Sequence, residues 1–273
     1  MVPDLGPIAP IVSRIERAKK HILDLEQAFS AFVDKESAYA ARFEDDAKAG
    51  ERRYYLATAK NLPLDLALIT GDAVHNLRSA LDHLAYLLVN VGTHGTGPSS
   101  HVYFPIFENA SKYKAGLSGK VKGMRQDAID AISATEPYGG GNGDAFYQLH
   151  CLNNIDKHRL LLTVWANFQS HTLLPSQRAH AERIYLGSHP GGTPPDLRDV
   201  FIAPTVKRFP LKQGDIILTV PFAEVENNLQ IRLDIAFGEP KVLQGKSVFE
   251  TLHDLMDRIH DLVLRFDRLG LCK

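Results

Sequence analysis

Cysteine is scarce in this chain: Cys151 and Cys272 are the only two in 273 residues, and neither sits in a C-x-x-C or Cys/His zinc spacing. That excludes a disulfide scaffold and a zinc finger, and free thiols in a reducing compartment are the economical reading. An excess of either charge is missing too. The 31 Lys and Arg against 32 Asp and Glu leave a formal net charge of −1, so a dedicated basic clamp for nucleic acid is not expected, although a local patch stays open. No apolar run approaches the roughly 20 residues of a membrane span. The opening MVPDLGPIAPIV carries Asp4 and early prolines but no basic stretch, so neither a signal peptide nor a membrane partner is expected, and the cytoplasm is the expected location. The run GGGNG at 139–143 lacks the lysine of a P-loop and the spacing of a dinucleotide fold, and reads as a flexible connector. No complete set of metal ligands has a familiar spacing, so neither a structural metal nor a cofactor is expected.

What the sequence does hold is apolar content of 44%, enough for a sizeable core, and twelve histidines. Apolar residues from Ile11 through Ile15, Ala18, Ile22, Leu25, Phe29, Phe32, Tyr39 and Phe43 recur at three and four, which predicts a helix over about 8–46 with the aromatics in the core. RRYYLATA at 52–59 reads as a strand or extended connection. Asn61, Pro63 and Asp65 mark the start of a second helix that runs to about Val91. A polar loop at 92–101 follows, then YFPIF at 103–107, which anchors the chain to something apolar. Short helices are expected at 109–117 and 123–134, and a third long helix at about 144–158.

Beyond residue 160 the texture changes. LLLTVWANF, AERIYLG, VFIAPTVKRF, DIILTVPF and LQIRLDIAF are short, apolar stretches separated by Gly, Pro and Asn. They predict four or five antiparallel strands over about 160–238, before helical spacing returns from Lys246 to Leu269. The expected fold is therefore α+β and a single domain over 1–273. A helical bundle from 8–158 and 245–269 would carry the inserted antiparallel sheet.

The most informative stretch is GDAVHNLRSALDHLAYLLV at 71–89. Ala73, Leu77, Ala80, Leu81, Leu84, Leu87 and Leu88 form one apolar arc. The remainder holds Asp72, His75, Asn76, Arg78, Ser79, Asp82, His83 and Tyr86 but no Lys or Glu, unlike an ordinary solvated face. Short, directional groups predict a covered surface: a polar seam against a neighbouring helix, or a homodimer interface. Arg78 and Asp82 are four apart and can pair, as can Ser79 and His83. A second polar cluster, NNIDKHR at 153–159, ends the third helix. Its Lys157, His158 and Arg159 suit the negative end of the helix dipole, while Asp156 and His158 are the residues that could instead reach the second helix and serve in binding with His75. A metal site from His75, Asp82 and His158 is the reading that would make the chain a metal-dependent hydrolase or oxygenase. Asp257 and His260 share the Asp-x-x-His spacing of Asp72 and His75, but read as part of a solvated face.

Arg78 and His83 form R-x4-H, here R-SALD-H, which resembles the signature of the HEPN superfamily of helical-bundle nucleases and nucleotide-binding domains. GDAVHNLRSALDHL, FPIF and NIDKHR together also resemble a group of bacterial proteins of unknown function. The HEPN resemblance implies a metal-independent endoribonuclease in which His83 moves protons and Arg78 stabilises charge on the phosphate, with Asp82 and Asn76 beside them. It also implies RNA as the partner and a homodimer that brings two motifs together. A non-catalytic binding or interaction protein is the alternative from another class.

Overall fold

A computed structural model of the chain describes residues 5–36, 38–97, 101–161, 163–198, 200–202, 210–227 and 229–273. After one 3₁₀ turn, α1 (Ala9–Glu36) buries Ile11, Ile15, Ala18, Ile22 and Leu25 along one face. It ends well before residue 46. The chain turns at Ala38 and enters β1 (Tyr39–Asp46), paired antiparallel with β2 (Glu51–Ala59). Phe43 is 52% exposed and not in the core: its ring lies 6.0 Å from that of Tyr54 on β2, with the Arg52 guanidinium 3.9 Å above it. The step from Phe32 to Tyr39 matches about two helical turns although the helix has already ended between them, so periodicity alone carries the helix too far.

The long helix α2 (Leu64–Gly92) starts directly after Pro63 and buries the whole expected apolar arc except half-buried Leu87. It packs against α1, α5 (Asp144–Asp156) and α7 (Val248–Arg268), which with it make the four-helix bundle. α7 begins on a Ser247 cap, whose Oγ accepts from the Glu250 N–H at 3.2 Å, and buries Val248, Leu252, Leu255, Ile259 and Phe266. Between α2 and α5 lie α3 (Ala110–Lys120) and α4 (Gln126–Ser133), close to the short helices expected there. The glycine run before α5 is a packed turn rather than a flexible connector. A Cβ on Gly139 would sit 2.4 Å from the Glu108 carbonyl oxygen, and Gly140 holds φ +80°. The Gly139 N–H also donates to Phe107 O at 3.2 Å, which ties this turn to the 103–107 segment.

The α+β class holds, but the sheet is divided. β3 (Thr163–Thr172) pairs antiparallel with β4 (Phe201–Ile202) on one side and with β6 (Ile231–Phe237) on the other. β5 (Ile216–Pro221) leaves this group and joins the N-terminal hairpin, giving the order β1-β2-β5. The reason is packing: Ile217 and Val220 of β5 bury against Tyr54 and Leu56 of β2 and Ala38, a small core distinct from that of the bundle. AERIYLG is not a strand. It belongs to helix α6 (Pro175–Ser188), which opens with Pro175 and a Gln177 side chain accepting from the Leu174 N–H at 2.8 Å. Its Ile184 is 59% exposed, so the apolar trio that resembles strand sequence finds no core. Residues 203–209, part of an expected strand, lie outside the described residues. Among the described residues, no helix is long and apolar enough to cross a membrane.

One buried carboxyl in this frame gives a pH test. Asp234 on β6 is 3% exposed, and burial pushes its carboxyl up to about 6 from 3.8, against hydrogen bonds from Ser247 and the Ile235 N–H. Between those two values the folded chain holds a proton that the unfolded chain has lost, so stability from this group falls as pH rises through the window. Asp234→Asn is expected to stabilise the fold at pH 7 by about 1–3 kcal/mol and to leave it unchanged at pH 3. Urea unfolding at both pH values measures the difference; equal effects at the two would refute the assignment.

Candidate functional site

The polar face of α2 is covered mainly by its own chain. Arg78 is 5% exposed, and its Nη2 pairs with Asp82 Oδ1 at 2.8 Å across one helical turn. The backbone of Phe104 closes on both: its N–H donates to Asp82 Oδ1 at 2.9 Å, and its carbonyl accepts from Arg78 Nη2 at 3.4 Å. This is what the YFPIF segment anchors, with the Phe104 side chain buried in the bundle core and its ring 6.3 Å from Phe146 of α5. Burial lowers the pKa of Arg78 and raises that of Asp82, each opposed by the partner's charge. The pair is therefore a desolvated tie between helix and segment. Asn76, also buried, donates from Nδ2 to the Asp72 carbonyl at 2.8 Å and so serves its own helix.

α5 covers the same face in two places. At its end, Asp156 lies against α2 at Gly71, where a Cβ would sit 2.4 Å from Asp156 Oδ1. Burial and the neighbouring Asp72 raise the Asp156 carboxyl, and His75 works against them. Asp156 thus reaches the second helix, as one reading of NNIDKHR had it. His158 does not; it is exposed beyond the helix end. Arg159 is drawn away to Glu239, a fully buried carboxylate, at 2.7 and 3.0 Å. One turn after Phe146, His150 also faces this region. Burial, then the charges of Arg78, Lys157 and Lys120, push its imidazole down to about 4.

The missing Lys and Glu on α2 therefore have an intramolecular reason. Asn76 and Arg78 are buried, Ser79, Asp82 and His83 half-buried, and Asp72, His75 and Tyr86 form part of a narrow exposed stripe. The residue pattern that motivated a homodimer no longer calls for a second copy.

The two halves of R-x4-H have different surroundings. Arg78 is locked in its ion pair, whereas His83 lines a pocket of about 520 Å³ between α2, the start of α1 and the segment before Tyr103. Asp82 belongs to both, since it also lines the pocket. Tyr86, Asn90 and a second histidine, His101, complete the polar wall, and Pro10, Ile11 and Val102 form the apolar one. Burial, with the Arg14 guanidinium of α1 second, lowers the His83 pKa below its ordinary 6.5, which keeps the imidazole neutral at pH 7.

His101, Arg14 and His150 were not singled out by sequence. His101 ends a loop that composition marks only as polar, Arg14 sits on an exposed helix position, and His150 stands four residues from Phe146 on a face read as core. Among the described residues, no three His, Cys, Asp or Glu side chains converge as a metal site. His75 stands near Asp156, Asp82 pairs with Arg78, and His158 is exposed, so that weighed trio is not assembled. On α7, Asp257 is exposed as expected, and His253 Nε2 bonds Glu26 Oε1 of α1 at 2.8 Å. No family model, curated protein or solved structure matches the chain.

Proposed function

We propose that the chain is a metal-independent, HEPN-like endoribonuclease whose chemistry is centred on His83. The observation that carries this reading is the pocket lined by His83, whose pKa is lowered by burial and then by the Arg14 cation, and by a second imidazole, His101. Two imidazoles supply both proton transfers of ribose-assisted cleavage. His83 takes the proton of the 2′-hydroxyl, the 2′-oxygen attacks the adjacent phosphorus, and His101 protonates the departing 5′-oxygen. The products are a 2′,3′-cyclic phosphate and a 5′-hydroxyl.

The role for Arg78 differs from that implied by the HEPN resemblance. Its Nη2 is occupied by Asp82 and the Phe104 carbonyl. Arg78 and Asp82 are positioning residues that hold the His101 segment against α2, and Arg14 is the cation that meets charge on the phosphate. The test is incubation of the purified protein with total RNA and tRNA in EDTA, followed by end-group analysis. Fragments ending in cyclic phosphate are expected. A folded protein that cuts neither substrate would refute the reading and favour a non-catalytic binding or interaction protein.

A further inference from the structure

The stripe of α2 that carries His83 continues past it. Tyr86 and Asn90 follow at three and seven positions, so the three side chains rise along one side of the helix, with about 10 Å of axis between the first and the last. All three line the pocket of about 520 Å³. The Tyr86 ring is 44% exposed and meets no other ring and no cation among the described residues. The Asn90 amide is exposed too and makes no hydrogen bond among them. Asn76, by contrast, spends its amide on its own helix. Tyr86 and Asn90 thus present a ring face and a donor–acceptor pair to the pocket that the fold does not use.

The pocket is not uniform along this stripe. Arg14, one helical turn beyond Pro10 on α1, acts on His83, so positive charge belongs to the His83 end. Among the described residues, no Lys or Arg lines the pocket itself, and Pro10, Ile11 and Val102 give it an apolar wall. A ligand that suits these surroundings is flat, apolar on its faces, polar at one edge and anionic where it meets His83 and Arg14. An acyl chain would leave the Asn90 amide without a partner, and a free sugar would set hydroxyls against the apolar wall. A nucleobase on a ribose phosphate has all these properties: its face stacks on an aromatic side chain while its edge takes hydrogen bonds.

We infer that Tyr86 and Asn90 form a base subsite for adenine in the His83 pocket, the base belonging to the nucleotide whose 2′-hydroxyl His83 deprotonates. Tyr86 stacks on the ring, and the Asn90 amide, one donor beside one acceptor, complements the adenine amino group and the ring nitrogen next to it. Guanine is the base that Arg or Lys reads, and neither lines this pocket. Cytosine offers a similar edge on a smaller ring, which covers less of the apolar wall. The place of the base beside the cut rests on cleavage at His83; the affinity for adenine does not.

The test titrates adenosine, guanosine, cytidine and uridine, none of which carries a phosphate to be cut, into the full chain and follows the Tyr86 ring and the His83 imidazole by NMR. Adenosine is expected to shift both signals and to bind about tenfold more tightly than the other three. Tyr86→Ala is expected to weaken adenosine about tenfold, while Tyr86→Phe, which keeps the ring, stays within about twofold of wild type. Asn90→Leu is expected to cost about tenfold and to bring adenosine level with guanosine. Both positions are exposed, so thermal midpoints close to wild type are expected for all three variants. With RNA as substrate, the cyclic phosphate should be found mainly on adenosine. If adenosine moves neither signal, if another nucleoside binds as tightly, or if Tyr86→Ala binds as wild type does, the subsite is refuted. Cleavage that leaves cyclic phosphate evenly on all bases would sink this inference alone. Adenosine bound in this way by a protein that cuts nothing would sink only the cleavage reading.

Discussion

His83→Gln is expected to lower the rate of RNA cleavage by about 10²–10⁴-fold while the far-ultraviolet spectrum and thermal midpoint stay close to wild type. His83 is half-buried at a pocket wall and makes no side-chain hydrogen bond among the described residues, so a folded variant is expected. His101→Gln is expected to fall in the same range, because the second proton transfer then has no imidazole. The pH profile separates catalysis from a structural role. Protonation of His83 removes the base, so the rate should fall on the acid side, with its midpoint below the ordinary histidine value of 6.5. Burial is the main cause of that depression and Arg14 the second. Arg14→Ala should therefore cut the rate and also move the acid limb to higher pH. A His83→Gln variant with the wild-type rate, or an acid limb indifferent to Arg14, would remove His83 from the chemistry.

Local signals read the helices well where one face alone is buried. α2 and α7 show this: Pro63 marks the start of the first, and in both the apolar positions that face the core repeat at three and four. The same rule misreads the end of α1, because Tyr39 and Phe43 keep helical spacing while Phe43 satisfies a cross-strand partner, Tyr54. Strand identity was legible for β5, but not its neighbour. Its pairing with β2, from which it is separated by more than 150 positions, depends on a small core that no local window contains. At the site, the absence of Lys and Glu correctly marked a covered face. It could not say that Phe104, His150 and Asp156 supply the cover, since contacts between distant segments leave no spacing to read. Arg78 and His83 were found together by motif, yet their positions five apart turn them to different surroundings on the helix, one an interior ion pair and the other a pocket.

Asp82→Ala is expected to destabilise the protein by about 3–5 kcal/mol, the cost typical of leaving one member of a buried ion pair alone. Among the described residues, Arg78 would keep only the Phe104 carbonyl at 3.4 Å, and the Phe104 N–H would lose its acceptor as well. Asp82→Asn separates these effects. The amide keeps an oxygen for the Phe104 N–H but no charge for Arg78, so it should be less damaging than Ala by about 1–2 kcal/mol. Adding Arg78→Met to Asp82→Asn removes the guanidinium that is left unpaired, and most of the lost stability should return, because burial already works against the charged forms of both residues. Urea unfolding midpoints at pH 7 measure all three differences. Activity should not return with stability. Phe104 lies three residues from His101, and a segment held only by its apolar contacts places that imidazole less tightly, for which displacements of about 1 Å suffice to cost roughly 10²-fold. If Asp82→Ala stays within about 0.5 kcal/mol of wild type, the range of an ordinary surface change, the Arg78–Asp82 pair is not what fastens this segment to α2.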